Sequence, residues 1–198
     1  MSLFALNVLC LDSSADDDVK KFDDMGFSFQ YPAEWAVHSA SDGQGHEDEE
    51  GNSRAAGKLE LDGPCVRFSI NWTRDPGISP ETILGQIEKT YDSGEVKVLS
   101  SERGEVSMKG ERARVMSLSY ELKGCSSAKR FAVWNTSRSD RIFLASISRS
   151  AGCSPELEQS TASAALFDSL VASFSDGGER EQLMLGPKSK DEAWTLVL

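Results

Sequence analysis

Residues 26–35 read GFSFQYPAEW and carry the clearest single signal in the chain. Phe27, Phe29 and Tyr31 alternate with Ser28 and Gln30, the period of a strand with one buried face. Pro32 closes that strand, because it brings no N–H to a ladder and fixes its own φ. Trp35 follows three residues later and is expected to be a buried anchor that turns the chain into the body of the domain.

Outward from this stretch the chain alternates strands with two helices. In residues 65–73, Val66, Phe68, Ile70 and Trp72 alternate with Arg67, Ser69 and Asn71, giving a strand with one core face and one wet or lightly covered face. Residues 79–92 predict a helix: Ser79 is a good N-cap, Pro80 suits the first helical position, and Ile83, Leu84, Ile87 and Tyr91 fall at helical spacing before Gly94. Val96 and Val98 begin a further strand, with turns at Gly104 and Gly110. Residues 111–122, 129–136 and 141–148 read as an antiparallel meander joined by KGCSSA and SRSD turns. Within it Phe131 and Val133 oppose Ala132 and Trp134, while Ile142 and Leu144 oppose Phe143, Ala145 and Ile147. Apolar residues on both faces require a sheet covered on both sides, here by helices or loops of the same chain. One cover is a second helix over residues 154–175, which repeats the start signal as Ser154, Pro155 and Glu156 and carries a stripe of Leu157, Ala164, Phe167, Leu170, Val171 and Phe174 before Gly177.

Between these elements the pattern is weaker. Residues 12–24 are acidic and turn-rich, and residues 33–39 read as a short extended piece with Trp35 and Val37 on one face. Residues 41–57, SDGQGHEDEEGNSRAAG, contain four Gly and no large apolar residue, so a mobile acidic loop is expected. Residues 58–61 fit a short strand. The fold class is therefore α+β, an α-β-α sandwich on a central antiparallel sheet of five or more strands. Residues 22–176 form the domain, 1–21 an N-terminal extension or the remnant of a leader, and 177–198 a C-terminal extension whose Met184, Leu185, Trp194, Leu196 and Val197 are expected to dock on it.

With 198 residues, 39% of them hydrophobic, one core is the expectation. Lys and Arg total 21 against 32 Asp and Glu, a net charge of −11. Such a surface repels phosphate backbones and anionic bilayers, and it suits a basic protein partner or a cation. No run approaches the roughly 20 apolar residues that span a bilayer. The apolar stretch from Leu3 to Leu11 precedes the first basic residue, Lys20, so it lacks the charged start of a signal peptide; export or a lipid anchor on Cys10 would require a trimmed leader. Cys10, Cys65, Cys125 and Cys153 are scattered with no C-x-x-C pair, which argues against a zinc or iron–sulfur site and leaves disulfides and the redox compartment open. In the meander Cys125 and Cys153 fall beyond strand ends on the same side, so a bridge between them requires the loops to lean together.

Chemistry-bearing motifs are sparse. Only His38 and His46 are available as bases, and there is no G-x-S-x-G, H-E-x-x-H or P-loop, so an enzyme is not expected. His46 with Glu47, Asp48, Glu49 and Glu50 is the candidate set for a hard or borderline cation; the competing reading is a solvated charge run, since the spacing that wraps calcium is missing. Trp35, Trp72 and Trp134 fit a core better than a ligand cleft. Asn71-Trp72-Thr73 and Asn135-Thr136-Ser137 match the glycosylation sequon, but both lie in or at strands.

The opening segment resembles that of the PsbP family, whose members begin with a Gly-Phe pair, a Pro and a Trp three residues on; Gly26, Phe27, Pro32 and Trp35 stand at those places, with Phe29 between. The strand pair around Gly110 followed by Tyr120, and the helix closing on Val171, Ala172, Ser173 and Phe174, extend the likeness over residues 22–174, with 41–57 as an insertion. The resemblance implies an α-β-α sandwich. The family includes photosynthetic subunits, bacterial and archaeal proteins of unknown function, a nuclear import factor that binds Ran, and chaperones of secreted effectors. It has been linked to manganese, calcium and zinc, but no ligand set of this chain matches. Fold is implied far better than function. The expected role is a non-enzymatic protein-binding subunit or assembly factor without a cofactor, with Glu47, Asp48, Glu49 and Glu50 as its charged handle. The alternative is a small-molecule or metal-ion domain using a cleft between sheet and helix.

Overall fold

A computed structural model describes residues 18–47, 53–74, 77–92, 96–149 and 164–177. In chain order they form β1 (Val19–Asp24), β2 (Phe27–Pro32), β3 (Ala36–Glu47), β4 (Ser53–Gly63), β5 (Val66–Arg74), α1 (Pro80–Tyr91), β6 (Val96–Ser107), β7 (Arg112–Leu122), β8 (Cys125–Asn135), β9 (Arg141–Arg149), α2 (Ala164–Ala172) and β10 (Ser175–Asp176). The central sheet has seven strands in the order β3-β4-β5-β9-β8-β7-β6, and every pairing is antiparallel. The chain is thus α+β, as its patterning predicts.

The two-sided apolar pattern resolves into two cores on opposite faces. On one face Phe131, Val133 and Ile142 join Met116 and Leu118 beneath Leu84 of α1. On the other, Ala132, Trp134, Phe143, Ala145 and Ile147 join Phe68, Ile70 and Trp72, under Phe27, Phe29, Phe167, Leu170, Val171 and Phe174. The second cover differs from expectation. It is α2 together with a separate three-stranded sheet in the order β1-β2-β10, to which the GFSFQYP strand belongs. A strand with one buried face can lie in the central sheet or on top of it; alternation alone does not choose.

Other local expectations are corrected too. Part of the acidic, turn-rich stretch is β1, which pairs with β2 through a Met25-Gly26 turn with φ of 56° and 73°. That is the primed turn that matches strand twist. Phe22 supplies its apolar contact, with its ring 5.4 Å from Phe27 and 5.5 Å from Phe29. The KGCSSA connection shrinks to Lys123-Gly124, with Leu122 paired to Cys125, for the same reason. Val37 stands opposite Leu61, on the face that Trp35 covers at Gly63, but β3 is the edge strand, so Val37 is left 44% exposed while Trp35 is 2% exposed. The second helix ends at Ala172, and Ser175 belongs to β10; its expected start at Ser154 lies outside the described residues.

Residues 41–47 and 53–57, expected in a mobile loop, are strand. β3 and β4 continue as a long hairpin with Asp42 opposite Gly57 and Glu47 opposite Ser53. The physical reason lies in β4, where Gly57, Leu59, Leu61 and Gly63 share one face. A Cβ on Gly57 would stand 2.0 Å from the Trp72 ring, and one on Gly63 would stand 2.3 Å from Trp35 Nε1. Two indoles thus cover two glycines across the strand pairs, with two leucines between them, and the ladder runs on from this anchored stretch.

Cys65 is disulfide-bonded, and it sits at φ 63° in the Pro64-Cys65 turn between β4 and β5. Cys10 and Cys153 and the Cys125 side chain lie outside the described residues. Of the four cysteines, a titration of the denatured, unreduced chain is therefore expected to find at most two free thiols; finding four would show that Cys65 is reduced.

Candidate functional site

The site grows from the way α1 sits on the sheet. Ser79 Oγ accepts the Thr82 N–H at 3.1 Å, Pro80 starts the helix, and the Asp92 N–H closes it on the Glu88 carbonyl at 3.0 Å. These caps hold the Ile83–Leu84–Ile87–Tyr91 stripe against the sheet, with Leu84 the fully buried member. Beside Ile83 a pocket of about 180 Å³ opens, lined by Asn71, Trp72, Thr73, Ile83, Ile142, Phe143 and Leu144. Trp72 and Phe143 belong to the core of the other face, so Ile83, Ile142 and Leu144 form the apolar wall and Asn71 and Thr73 bring the polar side chains. Among the described residues no acid, base or thiol lines it. It can take an apolar group and hydrogen-bond what is attached to that group. Ligand pockets usually span about 300–1,000 Å³, so this one matches a single side chain better than a free small molecule.

A second pocket, about 280 Å³, lies where the start of α1 meets β6 and β7, lined by Glu81, Leu84, Arg103, Gly104, Glu105, Arg114 and Val115. Its charges satisfy one another: Arg114 pairs with Glu81 at 2.7 Å and with Glu105, and Arg103 pairs with Glu88 at 2.5 Å. Hydrogen bonds from Ser101 and Arg103 hold the Glu88 carboxyl below the usual carboxylate range.

The most elaborate polar cluster is closed to ligands. Arg141 donates to Ser139 Oγ, the Met25 carbonyl and the Gly26 carbonyl, each at 2.9 Å, and to Asp176 Oδ1 at 2.6 Å. The other Asp176 oxygen accepts the Thr136 and Ser139 hydroxyls. Thr136, Ser139, Arg141 and Asp176 are all buried. The cluster pins the β1–β2 turn and β10 onto the end of β9, so it is a joint between the two sheets. Burial also raises the Glu111 carboxyl, which accepts the Ser137 N–H at 3.2 Å. Nothing in the sequence pointed to the Arg141–Asp176 pair; 35 residues and a helix separate its members, and no local period relates them.

The candidate residues read from the sequence are dispersed. His46 and Glu47 end β3 opposite Arg54 and Ser53, and Asp48, Glu49 and Glu50 lie outside the described residues. Among the described residues no group of three His, Cys, Asp or Glu is placed to hold a metal ion. His38 Nδ1 lies 3.0 Å from Asp62, whose carboxyl Arg67 holds low. Trp35, Trp72 and Trp134 are core residues, and the buried Trp134 Nε1 finds no hydrogen-bond partner among the described residues. Phe27 and Phe29 are core as well, and the Pro32 carbonyl accepts the Trp35 N–H at 3.0 Å. Of the sequons, the one at Asn135 has its threonine, Thr136, sealed in the Arg141 cluster. The pocket itself went unread: its signal was the polar side of β5, Asn71 and Thr73, beside a helix residue, Ile83, one place off the most buried position.

No family model matches the chain, and no curated protein matches its sequence. Among solved structures it is similar to the solution structure of cyanobacterial PsbP from Synechocystis sp. PCC 6803, at 11% identity and a TM-score of 0.53, over 88% of this chain and 98% of that one. A crystal structure from Bacteroides thetaiotaomicron VPI-5482 matches at 16% identity and a TM-score of 0.45, over 80% of this chain and 48% of that one. A Pseudomonas aeruginosa protein of unknown function matches at 13% and 0.38, over 71% of this chain and 88% of that one. The last two scores carry no argument. The architecture of this chain, with its two covered faces, is a PsbP-like fold.

Proposed function

We propose that the chain is a non-enzymatic PsbP-like domain that binds another protein, as a subunit or an assembly factor. The observation that carries this reading is the pocket beside Ile83: apolar-walled, lined by no titratable group among the described residues, and sized for one side chain. A partner residue such as Leu or Phe fills it, while Asn71 and Thr73 bond the partner's main chain. The net charge of −11 supports a partner with a basic surface, and Glu47, Asp48, Glu49 and Glu50 add four consecutive carboxylates of the same sign. A free small molecule in the same pocket is the second reading, and Asn71 and Thr73 are the observation in its favour.

Affinity purification from the native cells with wild type and Ile83→Asp in parallel tests the proposal. A protein retained by the wild type and lost from a folded Ile83→Asp is the expected result. With that partner purified, replacing Glu47, Asp48, Glu49 and Glu50 by Gln should slow association at low salt. Equal retention by both forms removes the pocket from the binding surface.

A further inference from the structure

Lys129 stands apart from every other cation discussed so far. It is half-buried on the α1 side of the sheet, opposite Leu118 on β7 and Ser148 on β9. Its ammonium lies 5.4 Å from the centre of the Phe131 ring. No carboxylate among the described residues pairs with it, and burial lowers its pKa. Partial withdrawal of its charge from water costs free energy that one ring face only partly returns.

Its surroundings are suited to an anion with an apolar body. Tyr120 is the diagonal neighbour of Lys129 on the same face, since Tyr120 pairs with Ser127 and Leu118 with Lys129. The Tyr91 ring packs 4.9 Å from Tyr120 and 6.1 Å from Phe131, and burial together with the neighbouring Tyr120 raises the Tyr91 phenol's pKa. Two residues past Tyr120 on the same face comes Leu122, a large apolar side chain left 38% exposed. From Leu118, opposite the cation, to Leu122 the strand advances four residues, about 13 Å.

We infer that Lys129, Tyr120 and Leu122 form a binding site for an amphiphilic monocarboxylate, its carboxylate on the Lys129 ammonium and its apolar chain along Tyr120 to Leu122. A single cation fits a monoanion; a phosphate dianion would leave charge uncompensated in a half-buried place. The site is separate from the pocket at Ile83 and does not rest on the protein-binding reading. In a chain of net charge −11 it works by local contact and not by long-range attraction.

The test titrates octanoate into the full chain, with octanamide as the neutral match, and follows the lysine side-chain resonances by NMR. Octanoate is expected to saturate one site and to raise the pKa of Lys129, because an anion favours the charged form. Octanamide should bind at least about tenfold more weakly, the loss of a charge-assisted contact. Lys129→Met should erase the preference for octanoate while unfolding no earlier than wild type, since an uncompensated charge has been removed. Lys129→Arg should keep the preference. Equal binding of the acid and the amide, unchanged octanoate binding in a folded Lys129→Met, or no saturable binding overturns the proposal.

Discussion

Asp176→Ala is expected to lower stability by about 3–5 kcal/mol, the usual result of removing one partner from a buried ion pair. The side chains of Arg141 and Asp176 are 10% and 2% exposed, so neither charge has water to fall back on. Without Asp176 the Arg141 guanidinium keeps neutral partners only, the Met25 and Gly26 carbonyls and Ser139. The Thr136 and Ser139 hydroxyls lose an acceptor in the same stroke. The damage also spreads, because β10 and the β1–β2 turn are fastened to β9 through this cluster. Urea unfolding measures it: the midpoint should drop with little change of slope. Replacing both charges together, as Arg141→Met with Asp176→Leu, should recover much of the loss, since well-packed apolar groups often match a buried pair. An Asp176→Ala midpoint within the spread of surface mutants would mean that the cluster is hydrated and not a joint.

Trp35→Ala should cost a comparable amount, roughly 3–5 kcal/mol for a large core deletion. The indole is 2% exposed, packs 6.3 Å from Phe68 and lies over Gly63, where a Cβ would come within 2.3 Å of its Nε1. Gly63→Ala therefore requires the ring to leave its seat, and it should be strongly destabilising for the same reason. Both substitutions break one contact, so the double variant should fall well short of the sum of the two losses. Additive losses in the double-mutant cycle would show that Trp35 and Gly63 act separately. The pairing also explains why the GFSFQYPAEW stretch matters: Pro32 ends β2 and delivers Trp35 to the last glycine of β4.

Much of this was legible in the chain itself. Alternation in residues 129–148 gave away a sheet buried on both faces, because side chains on successive residues point to opposite sides whatever the strand pairs with. Ser79, Pro80 and the Ile83–Leu84–Ile87–Tyr91 spacing set the start and the buried stripe of α1, because capping and helical period are local. The burial of Phe27, Phe29 and Trp35 followed from their size and apolarity. Other features belong to the tertiary structure alone. Phe27 and Phe29 lie in a small sheet on top of the large one, because burial period names a face and never a neighbour. Residues 41–47 and 53–57 extend as paired strands because Trp72 and Trp35 cover Gly57 and Gly63, contacts that composition cannot register. Arg141 and Asp176, the pocket beside Ile83 and the surroundings of Lys129 exist only once strands distant in sequence lie side by side. Local chemistry determined which segments are strand or helix and which of their faces are dry; chain topology decided which charges meet and where the surface remains open.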